Sequence, residues 1–247
     1  MTRHLLEIDD LTGDEVKAVL HLAGHTNPPK ILTGCGVALV FEKPSLRTRN
    51  STEMAVVQLG GHPISLQANE VGLGTRETPE DVARTLDRYH RVICARVFEH
   101  EKLERLAAAS AVPVVNLLSD DSHPLQALAD LLTIQQRFGT LEGRTVAYIG
   151  DANNVSRSLS LACALTGMAF RFGCPPGYGP NELDLDLIRS HGGTVTVHDR
   201  AVDAAEGADV VYTDVWASMG KEDEVEARRR AFEGFTIGHE VMDAAAT

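Results

Sequence analysis

Short β-branched runs alternate with longer stretches of helical period along nearly the whole chain. GVALVF, HPISLQ, RVICARV, VPVVNLL, TVAYIGD, AFRFGC, TVTVHD and DVVYTDVW read as strands, each with an intervening segment that reads as a helix. That alternation is the βαβ pattern of parallel sheets covered by helices on both faces, so the fold class is α/β. Near the start, Thr12 with Glu15 three residues later predicts a capping box for the helix GDEVKAVLHLAGH, ahead of the turn NPPK. The helix PLQALADLLTIQQ and the strand TVAYIGD flank RFGTLEGR, residues 137 to 144, where a domain boundary fits best; the expected domains are 1–140 and 141–247.

The 247 residues, 43% of them apolar, are enough to bury a real core in one large or two smaller domains. Twenty-three basic against 35 acidic side chains give a net charge of -12, which argues against binding nucleic acid or an anionic membrane over the surface at large. Up to position 140 there are 14 basic and 18 acidic residues, and after it 9 and 17. A balanced first half and an acidic second half suit an anionic ligand in the first and a cationic one in the second. Cys35, Cys94, Cys163 and Cys174 form no C-x-x-C pair, the opening MTRHLLEIDD is too polar for a signal peptide, and no apolar run is of membrane-spanning length. Reduced thiols and a cytoplasmic location are the expectation.

Against that acidic background, FEKPSLRTRNS places two arginines, a lysine and several hydroxyl and amide groups at one strand-to-helix junction. The first N–H groups of a helix lack internal partners and carry partial positive charge, so amides, hydroxyls and Arg47 can grip a phosphate there. The same string also fits an N-cap serine followed by surface arginines. Three more strand ends carry suitable groups, in the positions where open α/β sheets form binding crevices. Arg96 ends VICARV; His123 and Gln126 open a helix in SDDSHPLQALAD; GDANNV and TDVWASMG follow two later strands. Asn153 and Asn154 are either caps or ligands for a small carboxylate or amide, and Asp214 is a natural partner for an ammonium group. Dinucleotide binding is disfavoured, because the second and third glycines of G-x-G-x-x-G are missing after TVAYIG. His21 and His25 have metal-ligand spacing without the glutamate of a zinc-hydrolase helix, and the run Arg228-Arg229-Arg230 alternates with acids like an exposed helix. No metal or other cofactor is expected.

Taken in order, FEKPSLRTR, Arg96, HPLQALADLLT, GDANNV and DVWASMG resemble the motif series of the aspartate/ornithine transcarbamoylase family, and the last resembles its ornithine-specific members. The resemblance runs from the first helix to about residue 240. It implies two domains, each a parallel β-sheet flanked by helices, the first holding carbamoyl phosphate and the second L-ornithine, with citrulline and phosphate as products. It also implies a homotrimer or a multiple of trimers. By motif position, Ser45, Arg47, Thr48 and the backbone of Leu46 would hold the phosphate, and Arg96, His123 and Gln126 would reach the carbamoyl group. Asn154, Asp214, Ser218 and Met219 would hold the amino-acid portion of ornithine, and Arg47, Arg96 and His123 are the expected catalytic groups.

Three departures qualify the resemblance. Leu46 stands where the family usually has threonine, and Gly72 where it commonly has a glutamine that reaches into a neighbouring subunit's site. After FTIGHEVMDAAAT the family continues into a His-Cys-Leu-Pro segment and a terminal helix, so the sequence is expected to be either a fragment of an active enzyme or a shortened homologue. Two other readings stay open: a non-catalytic transcarbamoylase-like binding protein, and a carbamoyltransferase acting on a different amine.

Overall fold

The computed structural model describes residues 2–216 and 224–246. The chain divides into two compact units, Met1–Ala127 and Leu128–Thr247. Each contains its own four-stranded, all-parallel sheet.

In the first unit, α1 (Gly13–Ala23) begins at the predicted capping box: the Thr12 side chain accepts from the Glu15 backbone and the Glu15 side chain accepts from Thr12 N–H. It stops two residues earlier than the sequence pattern suggests, at the C-cap Gly24. The strands are β1 (Gly36–Phe41), β2 (His62–Gln67), β3 (His90–Arg96) and β4 (Val114–Leu118), and they lie in the order β2-β1-β3-β4. The helices between them are α2 (Leu46–Gln58), α3 (Ala68–Val71), α4 (Pro79–Leu86) and α5 (His100–Ala109). Position in the sheet explains composition: β1 is central and buried through Val37–Phe41, while the edge strand β2 alternates in its first half. One face of the sheet packs Ala38, Val40, Ile93 and Ala95 against Val82, Leu86, Leu103 and Leu106 of α4 and α5. The helix α6 (Pro124–Phe138) follows β4 and runs through the division between the units.

The second unit repeats the plan with β5 (Thr145–Ile149), β6 (Ala169–Gly173), β7 (Thr194–His198) and β8 (Val210–Tyr212) in the order β7-β6-β5-β8. Its helices after α6 are α7 (Asn154–Thr166), α8 (Glu182–Ser190), α9 (Ala201–Ala205), α10 (Val225–Ala231) and α11 (His239–Ala244). Helix α7 is buried along most of its length and ends at Gly167, whose φ of 74° lets Met168 N–H turn back to the Cys163 carbonyl. DVVYTDVW yields only three strand residues. Thr213 turns its hydroxyl to the Ile149 carbonyl and Asp214 accepts from Val215 N–H, so local side-chain bonds replace the ladder.

Both sheets reverse direction of strand addition beside their first strand, between β1 and β3 and between β5 and β8. Crossovers leave these switch points on opposite faces, which opens a crevice at the carboxyl ends of the flanking strands. The four cysteines are free, and Cys94, Cys163 and Cys174 are buried. Among the described residues no helix is long and apolar enough to cross a membrane.

Candidate active site

In the first unit the switch point is lined by the turn after β1, the end of β3 and the loop after β4. Ser45 is the N-cap of α2: its backbone is extended and its hydroxyl accepts from Thr48 N–H at 3.4 Å and donates to Thr48 Oγ1 at 2.9 Å. Arg96, the last residue of β3 and register partner of Phe41, donates through Nη1 to Thr48 Oγ1 at 3.3 Å. Its side chain is only 6% exposed, and its Nε has no hydrogen-bond partner among the described residues. A buried guanidinium donor left in that state is costly unless a ligand completes it.

The electrostatics agree. Burial lowers the Arg96 pKa. His123, half-buried just ahead of Pro124 at the start of α6, is pushed down to about 4, first by burial and then by the charge of Arg96. At neutral pH it is therefore an uncharged imidazole, which can donate one N–H. Lys43 is also buried; burial, followed by repulsion from Arg96, lowers its pKa, and its ammonium sits 4.3 Å from the centre of the Phe98 ring. Lys43 is absent from the sequence-based candidates, although it lies in the same FEKPSLRTRNS junction; what the string does not show is that it turns inward. Two buried cations beside a helix N-terminus create a local positive field inside an acidic protein, as an anion site requires.

The two arginines of RTR have different surroundings. Arg49 is committed to Glu53 at 2.9 Å, and Glu53 also accepts from Ser65. Arg47 is exposed on the first turn and takes no part in the contacts joining Ser45, Thr48 and Arg96. Leu46 leaves its side chain 81% exposed, so what it offers inward is its backbone N–H. Gln126 lies on the first turn of α6, its N–H bonded to the His123 carbonyl. Beside the N-terminus of α2 is a cavity of about 480 Å³ lined by Phe41, Pro44, Ser45, Leu46, Gln67 and the Arg49–Glu53 pair; Arg96 and His123 do not line it.

In the second unit, the switch point brings the β5–α7 turn to the loop after β8. Asn153 is the N-cap of α7, accepting through Oδ1 from Val155 and Ser156 N–H, and its Nδ2 donates to Asp214 Oδ2 at 3.2 Å. The family resemblance implies Asn154 as a ligand; Asn154 is the first residue of α7, and Asn153, the cap before it, donates to Asp214. Half-buried Asp214 also accepts from Val215 N–H at 2.7 Å through its other oxygen. Ser218 and Met219 lie outside the described residues.

Packing bears on two further positions. Arg228 is not a surface arginine: it is 5% exposed and pairs with Asp151, whereas Arg229 and Arg230 are exposed as expected. Position 228 falls on the inner face of α10, and the alternation of charges does not reveal which face that is. Gly72 has a backbone reason to be glycine. Its φ is 65°, its carbonyl accepts from the N–H groups of Thr75, Arg76 and Glu77, and an added Cβ would approach Arg76 Cβ to 2.8 Å.

Residues 3–136 match the family model of the aspartate/ornithine carbamoyltransferase carbamoyl-P binding domain, and residues 142–247 match that of the Asp/Orn binding domain. The ornithine carbamoyltransferase of Acidothermus cellulolyticus is 48% identical over 255 aligned residues, spanning all of this chain and 82% of that protein. The structure of ornithine carbamoyltransferase from Pyrococcus furiosus superposes with a TM-score of 0.92 at 41% identity, covering 98% of this chain and 81% of that one. The anabolic ornithine carbamoyltransferase of Campylobacter jejuni gives 0.94 at 32% identity, covering 100% and 84%. Likeness over both sheets, added to cationic groups at the first switch point and a carboxylate at the second, places the chain in the aspartate/ornithine carbamoyltransferase family.

Proposed function

We propose that the protein transfers the carbamoyl group of carbamoyl phosphate to the side-chain amine of L-ornithine, giving L-citrulline and phosphate. The observation that carries this reading is the buried Arg96, with an uncompleted Nε, held against Thr48 at the N-terminus of α2. An anion with several acceptor oxygens completes that guanidinium, and the free amides of Leu46 and its neighbours meet the phosphoryl end. Ser45, Arg47 and Thr48 bind the phosphate; Arg96, His123 and Gln126 face the carbamoyl group. Lys43 adds charge beneath the site.

The second unit supplies the acceptor's subsite. Asp214 pairs with the α-ammonium of ornithine, and Asn154, Ser218 and Met219 hold the rest of the amino-acid portion. Asn153 keeps one oxygen of Asp214 occupied and so orients the carboxylate. The neutral side-chain amine attacks the carbonyl carbon; the new C–N bond forms, charge grows on the carbonyl oxygen, the C–O bond to phosphate breaks, and the amine gives up a proton. Donors that strengthen as that charge grows lower the barrier, and Arg96, neutral His123 and Thr48 are of the required kind. A cytoplasmic homotrimer, or multiple of trimers, acting in arginine metabolism belongs to the same proposal.

An assay of carbamoyl transfer from carbamoyl phosphate, reading phosphate release and the carbamoylated product, with ornithine, aspartate, putrescine or N-acetylornithine as acceptor, tests the reading. Saturable citrulline formation with ornithine alone supports it. Binding of carbamoyl phosphate without product from any amine would favour a non-catalytic binding protein instead.

A further inference from the structure

The buried pair of Arg228 and Asp151 is far from an incidental ion pair. Arg228 Nη1 donates to Asp151 Oδ2 at 2.6 Å and to the Trp216 carbonyl at 2.9 Å, while Nε donates to Glu224 Oε2 at 2.8 Å. The guanidinium also lies 5.2 Å from the centre of the Tyr178 ring. Beneath it, the Trp216 ring stacks on fully buried Phe232 at 5.6 Å, and Tyr178 meets Phe232 edge-on at 5.0 Å. Every one of these residues is in the second unit.

The two acceptors on Nη1 belong to the two loops that form the second switch point. Asp151 is two residues before Asn153, the cap of α7; Trp216 is two residues after Asp214. The loops also meet directly, through Thr213 Oγ1 to the Ile149 carbonyl at 2.7 Å and Asn153 Nδ2 to Asp214 Oδ2 at 3.2 Å. Among the described residues the β8 ladder ends at Tyr212, and beyond it these bonds tie the second loop to the first. A buried ion pair by itself is weak evidence for stability, because desolvation offsets much of the attraction. A guanidinium spanning two functional loops has a geometric use that a hydrophobic replacement would not supply.

We propose that Arg228 is a positioning residue of the amino-acid subsite, holding the Asp214 loop in register with the Asn153–Asn154 turn by bridging Trp216 and Asp151. This rests on the assignment of Asp214 to the substrate's ammonium group. Arg228 touches no substrate. Its effect falls on acceptor binding and leaves the carbamoyl phosphate site, which is in the other unit, as it was.

The test is steady-state kinetics on the full chain with Arg228→Lys, with the double variant Arg228→Met/Asp151→Asn, and with Arg229→Met as an exposed control. Lysine keeps the charge but lacks the planar fork that sets Nη1 between Asp151 and Trp216 while Nε holds Glu224; the double variant removes the buried carboxylate charge together with its guanidinium counterion. Both are expected to raise the KM for ornithine on the order of tenfold, the equivalent of one charge-assisted hydrogen bond, with the KM for carbamoyl phosphate unchanged. The control is expected to match the parent protein. Unchanged ornithine KM in both variants, or both KM values rising together with a loss of folded protein, overturns the proposal. A parent protein that forms no citrulline would defeat the functional reading separately. Hydrogen exchange then decides the tether: faster exchange at residues 150–154 and 213–216 in Arg228→Lys supports it, and unaltered exchange there refutes it.

Discussion

Acidification below neutral pH should destabilise the protein through His123 in a window set by its own environment. The imidazole is pushed from an ordinary 6.5 to about 4, by burial first and by the Arg96 charge second. Between those values the unfolded chain binds the proton and the folded chain does not. Stability from this group is therefore complete above pH 6.5 and falls as the pH drops towards about 4. One proton corresponds to about 1.4 kcal/mol per pH unit, so the whole window is worth about 3 kcal/mol. Two measurements check this. NMR titration of the histidine Cε1 resonances, with His123→Asn for assignment, should find one imidazole titrating near 4. Denaturant melts across the window should show a steeper pH dependence for the parent protein than for His123→Asn, by about one proton. Arg96→Met should move the titration part of the way back towards 6.5, since it removes the second cause and leaves the first. Equal slopes in the parent and His123→Asn, or a His123 resonance with an ordinary midpoint, would refute the reasoning.

Other outcomes follow from the same geometry. Arg96→Gln should lower turnover by roughly a hundredfold or more at saturating substrates, as steady-state citrulline formation would show, because it removes a preorganised donor. Asp214→Ala should raise the ornithine KM by about 10- to 100-fold, the loss of one charged pair, while calorimetric binding of carbamoyl phosphate stays as in the parent. Gly72→Gln should cost about 1–2 kcal/mol in a denaturant melt, because the left-handed backbone at φ 65° and the 2.8 Å approach to Arg76 Cβ both resist a side chain.

The sequence alone determined what is local or periodic. The strand runs emerged at their places because β-branched stretches bounded by turn residues leave little alternative, and the Thr12–Glu15 cap and the Ser45 N-cap are contained within four residues each. Motif order carried the family, and with it Ser45, Thr48, Arg96, His123 and Asp214 as candidates. What only the tertiary structure decided is which of these groups meet. Arg96 reaches Thr48 across 48 positions of sequence, Asn153 reaches Asp214 across 61, and Arg228 reaches Asp151 across 77. Strand order in a parallel sheet is set by crossovers and by burial over the whole unit, so no short string shows that β3 lies beside β1 or that β8 lies beside β5. For the same reason Lys43 and Arg228 look like ordinary charged residues on paper. Their roles arise when packing removes them from water and leaves only particular partners within reach.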